Sequence, residues 1–87
     1  MLVYACGAVA AEPALRNGAT RRDLTAVGPV IRARFNEPIL YINRLPDGTL
    51  EVQAGHICGT RCGSGIFFRL RKSDGNWKII HEAYWVL

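Results

Sequence analysis

The residues best equipped for chemistry are two histidines and three cysteines, and His56, Cys58 and Cys62 fall together in the run His-Ile-Cys-Gly-Thr-Arg-Cys-Gly-Ser-Gly. The spacing His-x-Cys-x3-Cys offers three metal-ligand side chains, with His81 or Cys6 to complete a tetrahedron. A structural zinc site usually shows two close ligand pairs, and only one is evident, so no metal or other cofactor is expected. The same two cysteines can close a small disulfide, worth about 2 kcal/mol before strain is deducted. They can equally remain reduced as small apolar residues at strand ends. A nucleophilic cysteine needs a base such as His56 or His81 within hydrogen-bond reach. No Ser-His-Asp order, acidic pair or cofactor fingerprint accompanies them, so a non-enzymatic role is the leading expectation. Gly59, Gly63 and Gly65 permit a wide connection, positive backbone angles and a bulge. They do not form a phosphate-binding loop, since no Gly-Lys-Ser/Thr follows.

A second set of candidates comes from aromatic and cationic side chains. Tyr41, Phe67, Arg69, Tyr84 and His81 combine apolar walls with a few polar groups, which suits a small-molecule site on an open sheet face. The same residue types favour a subunit interface. The candidate binding residues are therefore Tyr41, His56, Cys58, Cys62, Phe67, Arg69, His81 and Tyr84, with a homodimer as the expected partner and a small-molecule-binding domain or degenerate enzyme with its site near the Cys-Gly loop as the alternative.

The elements that must position these residues divide into two halves. Residues 1 to 17 are rich in Ala, which predicts a helix over part of the stretch, interrupted at Pro13 and stopped at Asn17-Gly18. The first dozen residues also have features of a targeting-segment remnant but lack a basic start. Thr20 and Asp23 then have the form of a helix cap. Leu24, Val27, Val30 or Ile31, and Phe35 recur at helical spacing, with a kink or a break expected at Gly28-Pro29. The helical region ends by Glu37, before Pro38.

From Pro38 the period becomes two. Strands are expected near 38–45, 49–58, 65–72 and 77–86, separated by Pro46-Asp47-Gly48, the Cys-Gly loop and Ser73-Asp74-Gly75-Asn76. The last strand has large apolar residues in both phases, so either both faces are covered or a bulge switches the phase. Helices before strands predict an α+β fold, with one or two N-terminal helical segments packed on a four-stranded antiparallel meander.

A chain of 87 residues has room for one domain and would be marginal as an isolated monomer, which favours dimerisation. Nine Arg and two Lys against seven acidic residues give a net charge of +4. These cations are dispersed in sequence, in groups such as Arg21-Arg22, Arg32-Arg34 and Arg69-Arg71-Lys72, and nucleic acid is not the expected partner. No apolar run approaches the roughly 20 residues of a membrane span. Three cysteines leave one unpaired, which fits a reducing cytoplasm, although a secreted or lipid-anchored form stays open.

The block from Gly55 to Gly65, followed by a strand, Lys72-Ser73-Asp74-Gly75-Asn76-Trp77-Lys78-Ile79 and a closing Trp85-Val86, resembles the C-terminal meander of small bacterial proteins. Some of these are mobile gene-cassette products, and some are similar to cystatin-like or nuclear-transport-factor-two-like α+β folds. The resemblance covers about the C-terminal half. It implies helices on a curved antiparallel sheet and dimerisation through that sheet, and it assigns no catalytic residue.

Overall fold

The computed structural model describes residues 12–87. A short strand β1 (Ala14–Arg16) leads into a single helix α1 (Arg21–Arg34), followed by β2 (Ile39–Arg44), β3 (Leu50–Gly59), β4 (Cys62–Ser73) and β5 (Asn76–Val86). All five strands form one sheet in the order β1-β2-β3-β4-β5.

This corrects the expected four-stranded antiparallel meander. The sheet is mixed, because Ala14, Leu15 and Arg16 pair in parallel with Tyr41, Ile42 and Asn43. Ala-Leu-Arg carries good helix propensity, but propensity is a weak preference. The unpaired edge of β2 supplies a ladder for these residues instead. One helix is present among the described residues. The part of the expected N-terminal helix that falls on residues 1–11 lies outside them. Asn17-Gly18 is likewise not a helix stop but a tight turn after β1. Both residues have positive φ (53° and 90°), and the Ala19 N–H bonds back to the Arg16 carbonyl at 3.1 Å.

The start of α1 follows from its cap. The Asp23 N–H donates to Thr20 Oγ1 at 3.2 Å, and the Thr20 N–H donates to Asp23 Oδ2 at 2.9 Å, a reciprocal pair that satisfies otherwise orphaned donors. Arg44 of β2 donates to the same carboxylate at 2.7 Å, tying the helix start to the sheet. Pro29 neither ends the helix nor splits it, since α1 runs unbroken from Arg21 to Arg34. Val27 and Ile31, fully buried on either side of it, hold the helix to the sheet while Pro29 stays exposed.

One face of the sheet meets α1. Ile39 and Ile42 of β2, Leu50, Val52 and Ala54 of β3, and Ile66, Phe68 and Leu70 of β4 are all buried against Val27 and Ile31. Each large apolar side chain so buried contributes about 1.5–3 kcal/mol. Phe35, just past the helix, packs its ring 6.4 Å from that of Phe68. Arg34 reaches β5 and grips Glu82 through two hydrogen bonds of 2.8 and 2.9 Å.

The phase of β5 changes part-way. Leu70 faces Ile79, whereas Arg69 faces His81, so Ile80 is an extra residue that opposes no partner on β4. Beyond this bulge Glu82 and Tyr84 pair with the core residues Phe68 and Ile66, while His81, Ala83 and Trp85 pair with Arg69, Phe67 and Gly65. The strand thereby places Ile79 at the rim of the core and still turns Trp85 to the opposite face.

Candidate functional site

The face of the sheet opposite α1 has no layer of secondary structure over it among the described residues. Alternation puts there the residues between the buried ones: Glu51 and Gln53 of β3, and Phe67, Arg69 and Arg71 of β4. Cross-strand register adds the rest. One row runs Ala14, Tyr41, Gln53, Phe67, Ala83, and the next runs Arg16, Asn43, Glu51, Arg69, His81. Arg71 and Lys78 lie opposite each other beyond the second row, and Gly55, Gly65 and Trp85 lie on the other side of the first.

The aromatic residues of this face are held from below and beside. The rings of Tyr41 and Phe67 meet edge-on with centroids 6.4 Å apart. The Arg16 guanidinium sits 4.2 Å over the Tyr41 ring, a cation–π contact. Burial raises the Tyr41 phenol above its ordinary value, and nearby Glu51 adds to this by disfavouring a second negative charge. Trp85 lies across Gly65, which has no side chain to obstruct it: a methyl group built on Gly65 would fall 2.6 Å from Cζ2 of the indole. The indole N–H is enclosed and has no acceptor among the described residues.

The sequence candidates divide among three places. Tyr41, Phe67, Arg69 and His81 come together on the open face. His56 and Tyr84 belong to the helix-side phase: His56 Nδ1 is 3.2 Å from Glu37 Oε1 in the segment after α1, and Tyr84 is 77% exposed. The bulge at Ile80 thus separates Tyr84 from the open-face aromatics. Cys58 and Cys62 lie at the exposed tip of the β3–β4 hairpin, where they are joined in a disulfide with Cα atoms 5.0 Å apart. Gly63 and Gly55 next to this tip adopt φ of 150° and 144°, a conformation that side chains rarely adopt.

Four cationic or aromatic residues of the open face were not among the candidates: Arg16, Arg71, Lys78 and Trp85. Arg71 was legible from the alternation Phe67-Arg69-Arg71, and Lys78 from the two-residue turn at Asp74-Gly75, which fixes the hairpin register. Lys72 belongs with Trp77 in the opposite phase, so the sequence cluster Arg69-Arg71-Lys72 is split between the faces. Arg16 needed the unforeseen β1, and Trp85 needed the bulge.

Elsewhere, a groove of about 670 Å³ runs beside α1, lined among others by Pro13, Leu24, Pro29, Arg32, Glu37 and Ile39. None of the eight candidate residues lines it. Among the described residues no three His, Cys, Asp or Glu side chains are grouped to hold a metal ion, and no helix is long and apolar enough to cross a membrane. Compared with known proteins, the chain matches no protein-family profile, no curated protein and no solved structure.

Proposed function

We propose that the protein is a non-enzymatic interaction module whose working unit is a homodimer, joined through the outer edges of two β5 strands. The observation that carries this reading is the character of that edge. β5 is eleven residues long, is the last strand of the sheet, and leaves Ile80, Tyr84 and Val86 at 46%, 77% and 77% exposure. An outer strand presents a row of unpaired N–H and C=O groups, and long apolar edges are where chains add to one another.

A second copy fits this edge better than an unrelated strand, because antiparallel pairing of a strand with itself is a closed twofold contact. The opposite edge, β1, has only three residues and offers little ladder. Sheet-mediated dimerisation is also what the cystatin-like resemblance implies. The non-enzymatic part of the reading is supported by the disulfide, which leaves neither Cys58 nor Cys62 as a thiolate, and by His56, whose near neighbour is a carboxylate rather than a nucleophile.

Sedimentation equilibrium over micromolar concentrations tests the reading. A dimer is expected for the native chain, and a monomer for the double variant Ile80→Lys, Val86→Lys with its circular dichroism unchanged. A native chain that stays monomeric throughout, or a dimer that the folded double variant keeps, overturns it.

A further inference from the structure

We propose that the open face of the sheet binds single-stranded nucleic acid, with bases stacked on Phe67 and Trp85 and phosphates held by Arg69, Arg71 and Lys78. The dispersed cations of the sequence become a group only through strand register. Arg16, Arg69, Arg71 and Lys78 share this face, and the acidic residues near them are Glu51 within the second row and Asp47 at the β2–β3 turn. Arg69, Arg71 and Lys78 make no ion pair within 4.0 Å among the described residues, so they remain free to meet an external anion. Off this face Arg21, Arg34 and Arg44 are engaged by Glu12, Glu82 and Asp23, whereas Arg22, Arg32 and Lys72 are likewise in no ion pair among the described residues. It is therefore the grouping of cations on one face by strand register that sets the open face apart.

The aromatics make the anion more specific than any acidic surface. Phe67 is opposite Ala83 and Trp85 is opposite Gly65, so each ring has a small residue or none beside it across the β4–β5 ladder. The result is a low platform at which flat groups can lie against a ring, bordered by cations on its Arg69 side. Stacking rings beside a track of positive charge is how proteins bind single strands with little sequence preference, since every base has a π face and every linkage a phosphate. An acidic protein segment would satisfy the cations and leave the rings without a purpose. A duplex hides its base faces and cannot use them at all.

Five strands at about 4.8 Å spacing give a face about 19 Å across, enough for a few nucleotides. The face is complete within one protomer, so the proposal is independent of the dimer. Its test is run on the native chain and needs no substitution at the β5 edge.

The probe is a fluorescein-labelled oligothymidylate of about 12 nucleotides, followed by anisotropy between about 50 and 200 mM salt. Binding is expected to weaken with salt, with a log–log slope of about −2 for three phosphate contacts on a single strand. Arg69→Gln with Arg71→Gln should reduce that slope by about 1.4, since two contacts are lost. Phe67→Leu keeps the packing against Tyr41 but removes the π face, and should weaken binding about 5- to 150-fold with circular dichroism unchanged. Absence of binding at the low-salt end overturns the proposal. So does binding that is indifferent to Phe67→Leu, or equal binding of a poly-glutamate peptide, which would assign the face to an acidic protein. Loss confined to Arg21→Gln, Arg22→Gln would move the site to the helix and overturn it as well.

Discussion

Trp85 lies so closely over Gly65 that no β-carbon fits between them. A methyl group at residue 65 would strike Cζ2 of the indole at 2.6 Å and would overlap the carbonyl oxygen of Ala54 on the neighbouring strand. Backbone on one side and a large ring on the other leave little room to yield. Gly65→Ala should therefore destabilise the fold by about 3 kcal/mol or more, at the upper end of overpacking costs. Urea unfolding followed by tryptophan fluorescence measures this, and an unchanged midpoint would show that the indole does not rest on Gly65.

The start of α1 has its own pH dependence. Burial pushes the Asp23 carboxyl up, but the Thr20 N–H and the Arg44 guanidinium outweigh it and hold the carboxyl below its ordinary value of 3.8. A group with a lowered folded pKa stabilises fully above the unfolded value, about pH 3.9, and loses that contribution as pH falls through the folded value. Asp23→Asn should accordingly lower stability at pH 7 and reduce the further loss on acidification to pH 3. Thr20→Ala, which removes one half of the cap, should cost about 1 kcal/mol. Thermal unfolding at the two pH values separates these effects.

Reduction of the Cys58–Cys62 disulfide should have a small effect. The two residues are four positions apart, so the bond closes a short loop and restrains the unfolded chain by about 2 kcal/mol at most. The β3–β4 ladder beyond the tip, from Gly55 opposite Gly65 to Leu50 opposite Leu70, does not depend on the bond. A melting temperature that falls by no more than about 8–16 °C in reductant, with the near-ultraviolet spectrum of the core retained below it, is the expected result. Complete unfolding would assign the bond a structural role that this position does not suggest.

How far these features were legible depended on whether the information was local. β2 to β5 were readable because alternation, Pro46-Asp47-Gly48 and Asp74-Gly75 act over a few residues. The Thr20 cap was readable for the same reason. β1 was not, because Ala-Leu-Arg becomes a strand only through its register with Tyr41, Ile42 and Asn43, more than twenty residues away. Gly28-Pro29 suggested a break, and the tertiary burial of Val27 and Ile31 overrode it. The open face followed the same rule. Tyr41, Phe67 and Arg69 were nominated by type, but their meeting with Arg16, Lys78 and Trp85 required knowing which residue faces which.

The extra residue at Ile80 makes β5 a strand whose two halves obey opposite parity. Removing that single residue would leave a regular ladder in which Ile79 and His81 keep their partners Leu70 and Arg69, with Glu82 still toward Arg34 and Ala83 and Trp85 still on the open face. Removing one residue just beyond it would instead turn those that follow to the other face. A deletion of two residues after the bulge would preserve the facing and shorten only the end. Length variation within β5 beyond the bulge should therefore be tolerated in steps of two, whereas at Ile80 itself a single residue can be lost without turning any side chain to the other face.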